Sequence, residues 1–154
     1  MKRLVLALVA LLITNITYAQ PAFTGVNYSG LYDCKGNNEQ VGDYSVVVKL
    51  RLNRISSYGK FGAYYYEVET ENSVLYAGQA AADGNRMAIS FNLSEKRSAE
   101  HSTGIATMKK NPQGRWSFQK LYYESDDSGG IYGKETCVLK AAIPASKTGS
   151  TKKN

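Results

Sequence analysis

The sequence is poor in the residues that hold metals and haem. It contains one histidine, His101, and two cysteines in 154 residues. A structural zinc site takes four Cys or His ligands at close spacing, and no such cluster occurs. A glycine-rich phosphate loop between a strand and a helix is also absent. We therefore expect no metal site and no cofactor.

Long hydrophobic runs are also scarce, because residues 4–13 form the only one. This run is too short to span a bilayer, which takes about 20 residues. It follows a basic start and precedes small residues around Ala19, an order typical of a secretory signal peptide. We predict that residues 1–19 are removed before Gln20 and that the mature protein is periplasmic or secreted, with no membrane span.

The formal charge of +6 is carried by the ends of the chain. Residues 20–145 hold 14 basic residues against 13 acidic ones. A nucleic-acid-binding protein carries its basic excess on the folded body, so we expect no nucleic-acid partner. Residues 20–27 are predicted to be a short N-terminal lead. The basic tail, residues 144–154, lacks an apolar anchor and is predicted to be disordered.

Cys34 and Cys137 lie near the two ends of the mature domain. In an oxidising compartment we expect them to form a disulfide. The bridge closes a loop of about 100 residues, for which the chain-entropy model gives roughly 4–5 kcal/mol. Two unpaired thiols, or a bridge between two chains, are the alternatives.

The mature sequence alternates apolar and polar residues with a period of two. In residues 43–53, for example, Val46, Val48 and Leu50 point to one side and Lys49 to the other. This pattern is typical of a strand with one buried face. Eight strands are predicted, at residues 28–35, 43–53, 61–70, 74–82, 86–93, 103–110, 115–124 and 132–140.

Short turn sequences separate these strands, and residues 83–85 and 111–114 are the strongest of them. Weaker turns are predicted at 57–60 and 71–73, and a helical turn at 94–101. Sequential strands joined by short turns predict an all-β fold. We expect a small antiparallel up-and-down barrel of about eight strands, residues 28–143, with its first and last strands paired and closed by the disulfide. An open sheet or a Greek-key sandwich is the alternative.

The sequence offers little that points to catalysis. His101 lies in the most polar segment with no recognisable nucleophile near it, so a loop histidine is the better interpretation. Glu124 and Asp127 belong to an acidic loop before the last strand, which lacks the spacing of an EF-hand. We expect the protein not to be an enzyme.

Tyrosine is the one strong compositional excess, with 12 Tyr against 4 Phe and 1 Trp. Tyrosine suits recognition surfaces because it combines a large ring with a polar end. Adjacent strand residues face opposite ways, so if Tyr64, Tyr66 and Tyr122 point inward, Tyr65 and Tyr123 point outward. The outer pair is predicted to stack on a sugar or anchor a partner protein.

These patterns predict an exported protein that acts by binding, most simply to another protein, with inhibition of a secreted hydrolase as one such role. The predicted contact surface combines Arg97 and His101 with Tyr58, and Tyr123 with the acidic 124–128 loop. Tyr65, Glu124 and Asp127 complete the candidate binding residues.

Three alternatives remain open at this point. One is a carrier with an internal cavity bounded by Tyr64, Tyr66 and Trp116. Another is a glycan-binding module. The third is a hydrolase that uses two carboxylates, Glu124 and Asp127.

Overall fold

The computed structural model describes residues 20–93, 101–125 and 129–143. These residues form eight β-strands in chain order: β1 (Gly30–Asn38), β2 (Gly42–Tyr58), β3 (Phe61–Thr70), β4 (Leu75–Asp83), β5 (Arg86–Asn92), β6 (His101–Lys110), β7 (Trp116–Glu124) and β8 (Ile131–Ala141). In the described part of the chain, no helix has the length and hydropathy needed to cross a membrane. The signal segment, the tail and residues 94–100 of the predicted 94–101 helical turn lie outside the described residues, and His101 begins β6.

Each strand pairs antiparallel with the next one in sequence, and β1 also pairs with β8, so the sheet is a closed barrel. The predicted up-and-down barrel is confirmed. Cys34 and Cys137 are directly opposite in the β1–β8 register, and their Cα atoms are 4.0 Å apart. The disulfide therefore links the two strands whose pairing closes the barrel.

The strand connections alternate between the two ends of the barrel. Those from β2 to β3, β4 to β5 and β6 to β7 lie at one end, which we call the lower end. The other four connections lie at the upper end. The lead covers part of the lower end, where Phe23 bridges to Gly59 and the Tyr28 hydroxyl donates to the Gly84 carbonyl at 2.9 Å.

The predicted strands are correct in number and order, and β2 differs most in extent. It continues past Asn53 to Tyr58, through an irregularity in its pairing with β3. The hydroxyl of Ser57 fixes this bulge, because it donates to the Asn53 carbonyl at 2.6 Å and accepts from the Ala63 amide at 2.9 Å. Ile55, within the bulge, is 94% exposed.

The barrel interior is filled largely by aromatic and aliphatic side chains. Tyr32 packs edge-on against Phe118, and Tyr66 stacks on Phe91. The period-two prediction for tyrosine is confirmed, since Tyr64, Tyr66 and Tyr122 are buried while Tyr65 and Tyr123 are exposed.

Candidate functional site

The predicted contact residues are separated by the fold. Tyr58 ends β2 at the lower end, whereas His101, Tyr123 and Glu124 lie at strand ends of the upper end. Tyr65 lies on the outer face of β3. Tyr58 and Tyr65 therefore lie apart from His101, Tyr123 and Glu124, which share the upper end on the neighbouring strands β6 and β7. Arg97 and Asp127 lie outside the described residues.

Two of the candidate tyrosines already have aromatic or cationic neighbours on the barrel. Tyr58 stacks on Phe61 with ring centroids 5.3 Å apart. The Arg51 guanidinium lies 4.4 Å from the centre of the Tyr65 ring, and the Asn53 side chain donates to the Tyr65 hydroxyl at 3.3 Å. One face of the Tyr65 ring is thus covered, which leaves less of it for stacking on a sugar.

His101 and Glu124 differ from their predicted loop positions. His101 is the first residue of β6, pairs with Asn92 and is half-buried. Glu124 ends β7 on its inward side, two positions from the buried Tyr122. Burial raises the pKa of Glu124, and the negative charge of Glu135 adds to the rise, while Ser102 and Lys120 oppose it. The Glu124 carboxyl therefore does not share the outer face with Tyr123.

A group of large apolar side chains is exposed on the outside of β6, β7 and β8. Ile105 is 67% exposed and pairs with Leu121, which is 52% exposed. Tyr123 and Tyr132 pair across β7 and β8 with ring centroids 5.0 Å apart. We call these four residues, Ile105, Leu121, Tyr123 and Tyr132, the apolar face.

An open depression of about 820 Å³ adjoins the apolar face. Its lining includes Ala81 of β4 and Ala88 of β5, which have small side chains. Ala88 pairs with Ile105 and Ala81 pairs with Ala88, so these two alanines lie in the same cross-strand row as Ile105 and Leu121 on the outer surface. Phe61 lines it on the β3 side. The outer surface thus combines protruding Ile and Leu side chains with a neighbouring recess.

The outward-facing charges on strands β5 to β8 have one sign. The structure describes every residue of β5 to β8, and the outward positions of these four strands include no Asp or Glu. Their charged residues are all cationic: Arg86, Lys109, Lys134 and Lys140. Two of these meet acids of neighbouring strands, Arg86 with Asp83 at 3.9 Å and Lys140 with Asp33 at 3.1 Å.

Sequence reasoning identified Tyr123 and missed the other three residues of the apolar face. The available signal was the alternation in β7. The sequence of β7 places Trp116, Phe118 and Tyr122 at alternate positions on one side, so Leu121 must lie on the opposite side beside Tyr123. A large apolar residue on the side predicted to face solvent would have indicated the apolar face.

The barrel also buries an ion pair that the sequence analysis missed. Lys120 and Glu135 are 1% and 5% exposed, and their charged atoms are 2.9 Å apart. The Lys120 ammonium faces three aromatic rings, at 4.8 Å from the centre of Tyr122, 5.3 Å from Phe91 and 5.9 Å from Tyr66. Such pairing is what a charge needs when it is removed from water.

Hydrogen bonds extend this ion pair across four strands. The Tyr44 hydroxyl donates to Glu135 Oε1 at 2.9 Å, and the hydroxyls of Tyr44 and Tyr122 are 2.8 Å apart. The Asn38 side-chain amide donates to the Tyr122 hydroxyl at 3.0 Å. We call these five residues, Asn38, Tyr44, Lys120, Tyr122 and Glu135, the buried polar cluster. It joins β7 and β8 to β1 and β2, beside the disulfide.

The ion pair of the buried polar cluster is shielded from water, whereas Tyr44 is only partly buried. Burial raises the pKa of Tyr44, and the neighbouring Glu135 charge adds to the rise, so this hydroxyl stays protonated at neutral pH. The Tyr66 hydroxyl is buried with no hydrogen-bond partner among the described residues. Because Lys120 and Glu135 are enclosed, we interpret the cluster as a structural connection between the closing strands.

One described group of potential metal ligands comprises Cys34, Glu135 and Cys137. Both sulfur atoms belong to the disulfide and cannot serve as thiolate ligands. This group therefore offers one carboxylate, and that carboxylate already pairs with Lys120.

The residues predicted to bound a carrier's cavity are packed against their neighbours. Trp116 meets Tyr28 edge-on at 5.0 Å, Tyr66 stacks on Phe91 at 5.6 Å, and the Tyr64 hydroxyl donates to the Val26 carbonyl at 3.1 Å. All three side chains are therefore in contact with other groups of the chain.

Comparison of the sequence with protein-family models and with curated proteins finds no match. Function is therefore inferred from the geometry of this chain.

Proposed function

We propose that this chain is an exported binding protein that recognises another protein through its apolar face. The observation that carries the proposal is the exposure of four large apolar side chains on adjacent strands. Contiguous apolar surface is costly to leave in water and is typical of interaction sites. Tyrosine and aliphatic residues at the centre of such a patch are common in protein interfaces.

The cations around the apolar face favour one kind of partner. A second copy of the chain would bring Lys109 and Lys134 against similar cations, whereas a surface with carboxylates around an apolar centre would be complementary. We therefore infer an acid-bordered apolar surface on the partner. Oppositely charged rims increase the association rate, and salt screens that contribution.

The strand framework reduces the entropy lost on binding. All four residues of the apolar face lie within hydrogen-bonded strands of a closed barrel. Their backbone is already ordered, so association costs rigid-body freedom and side-chain freedom but no further ordering of the backbone. The predicted signal peptide and the disulfide support action outside the cytoplasm, where disulfides persist.

Charge insertion into the apolar face tests the proposal. A photo-reactive amino acid at position 121 is used to capture the partner from the exported fraction of native cells, and the purified partner is titrated against variants by calorimetry. Combined Ile105→Lys and Leu121→Lys should weaken binding by about a hundredfold or more, since two apolar contacts are lost and charge is buried. Binding should also weaken as salt is raised.

Ile55→Lys is the matched control, because it makes the same change at an exposed isoleucine outside the apolar face. It should leave the affinity unchanged. The proposal fails if the double variant binds as tightly as the parent, or if Ile55→Lys causes the same loss. If the parent chain forms a dimer and the double variant does not, the apolar face binds a second copy of the chain and not a separate acidic partner.

A further inference from the structure

Exposed apolar residues also occur at the upper end of the barrel, on two neighbouring strand connections. Val41, in the β1–β2 connection, is 62% exposed. Leu75, at the β3–β4 connection, is 61% exposed and follows the exposed Val74. The two connections are neighbours because β2 pairs with β3. We call residues 39–43 and 69–75 the acidic rim.

The acidic rim carries charge of one sign only. Its charged residues are Glu39, Asp43, Glu69 and Glu71, and neither of its two segments contains a Lys or an Arg. All four side chains are exposed, and none forms an ion pair within the described part of the chain. Glu69 pairs directly with Leu75 across β3 and β4. Free carboxylates therefore border the exposed apolar residues of the rim.

The acidic rim and the apolar face are complementary. The proposed function requires a partner whose apolar surface is bordered by carboxylates, and the acidic rim has both features. The apolar face has Lys109 and Lys134 beside it, two cations without an ion pair among the described residues. Two apolar faces would bring these lysines together, whereas the acidic rim of a second copy would set carboxylates against them.

The fold places the two surfaces on opposite sides of the barrel. In the closed ring of eight strands, β7 at the centre of the apolar face is opposite β3, which ends in the acidic rim. One copy can therefore use both surfaces at once, and the same contact can repeat from copy to copy. Contacts of this head-to-tail kind build rings or open filaments, in contrast to the closed dimer that like surfaces form.

We propose that the apolar face binds the acidic rim of a second copy of this chain, and that the protein assembles head to tail through this contact. The inference rests on the proposed function, because it names the partner of the apolar face. In the contact, Val74 and Leu75 of one copy pack against Ile105 and Leu121 of the next, and the rim carboxylates face the lysines beside the apolar face.

The test combines two variants that each lose one of the surfaces. The face variant carries Ile105→Lys and Leu121→Lys, and the rim variant carries Glu71→Lys and Leu75→Lys. All four positions are exposed, so the substitutions leave the barrel interior unchanged. Sedimentation velocity measures the average mass of the purified protein at concentrations from about 1 µM to 1 mM, a range that covers weak specific contacts.

The parent should form dimers and larger assemblies as its concentration rises. Added salt should weaken this association, because opposite charges meet in the contact. Each variant alone should associate at least about tenfold more weakly than the parent. An equimolar mixture of the two variants should form dimers and nothing larger, because the intact rim of the face variant meets the intact face of the rim variant.

Ile55→Lys is the control, since it inserts the same charge at an exposed isoleucine outside both surfaces. It should associate as the parent does, and thermal unfolding of every variant checks that the barrel is retained. A parent that stays monomeric up to about 1 mM overturns the inference. A mixture of the two variants that stays monomeric also overturns it, because any association of the parent would then join like surfaces.

Failure of the proposed function has a different result. If the parent is monomeric and the partner captured through position 121 is a different protein that the face variant no longer binds, this inference fails and the proposed function holds. If the captured partner is this chain, the cross-link should join position 121 to the acidic rim, and a cross-link between two apolar faces overturns the inference. Tight binding of the captured partner by the face variant contradicts the proposed function itself.

Discussion

Lys120 carries a charge but lies at a buried position, and this combination is the least expected one in the barrel. It lies between Phe118 and Tyr122 on the inward side of β7, although lysine is almost never buried without a partner. Alternation alone predicts an inward side chain here. Residue type favours solvent, and the sequence alone does not choose between the two, because the partner Glu135 lies on another strand. Only the β7–β8 register, in which Lys120 and Glu135 are paired, resolves the conflict.

Replacement of Lys120 with Met should destabilise the barrel by about 3–5 kcal/mol, because Glu135 is left charged and buried without its partner. Urea unfolding, followed by tryptophan fluorescence, measures the change. The paired replacement, Lys120→Met with Glu135→Leu, should recover most of the loss because both charges are removed. A cost for Lys120→Met below about 1 kcal/mol would show that the pair is hydrated in solution.

At the scale of strands, two glycine–tyrosine pairs position the buried polar cluster. Tyr44 lies across Gly36, and Tyr122 lies across Gly133. Both glycines belong to the strands that close the barrel, β1 and β8, and each is directly opposite its tyrosine. The absence of a side chain there lets the two hydroxyls approach each other inside the barrel.

Gly133→Ala should therefore cost about 1–3 kcal/mol, since the added methyl group collides with a ring that hydrogen bonds hold in place. A double-mutant cycle with Tyr122→Leu checks the cause. The alanine should cost much less once the ring is gone. Equal costs in both backgrounds would mean that the strand backbone, and not the tyrosine, requires glycine at this position.

Strands were predictable where alternation was regular and unpredictable where it failed. The inner and outer tyrosines of β3 and the turns at Gly84 and Gly114 follow directly from the sequence. The end of β2 does not, because residues 54–57 break the period of two and bulge from the sheet. Tyr58 was consequently predicted in a turn although it ends the strand.

At the scale of the whole molecule, closure depends on the β1–β8 pairing and on the disulfide within it. The cysteines are 103 residues apart in the sequence, so the bridge links the first and last strands across most of the domain. The predicted pairing of Cys34 with Cys137 is confirmed. The cysteines could be paired from the sequence because there were only two of them.

Removal of the bridge by combined Cys34→Ala and Cys137→Ala should lower the free energy of unfolding by about 4–5 kcal/mol, because the unfolded chain gains the freedom of an open loop. Chemical denaturation of the parent and the double variant measures this difference. An unchanged midpoint would show that the bridge does not constrain the unfolded chain.

The contact surface was harder to predict than the fold, because it depends on which residues the barrel topology brings to the same end. In an up-and-down barrel, successive connections alternate between the two ends. Tyr58 flanks the second connection, whereas His101 and Tyr123 flank the fifth and seventh, so they had to lie at opposite ends. The apolar face depends on neighbours across β6, β7 and β8, and such neighbours are known only when the register is known.

The most direct test of the proposed binding function follows the isoleucine methyl groups of the labelled protein as the captured partner is added. We expect the Ile105 methyl signal to shift or broaden until the partner is stoichiometric, while the buried Ile89 and the exposed Ile55 stay unchanged. A response at Ile55 without one at Ile105 would contradict the assignment of the apolar face as the binding surface.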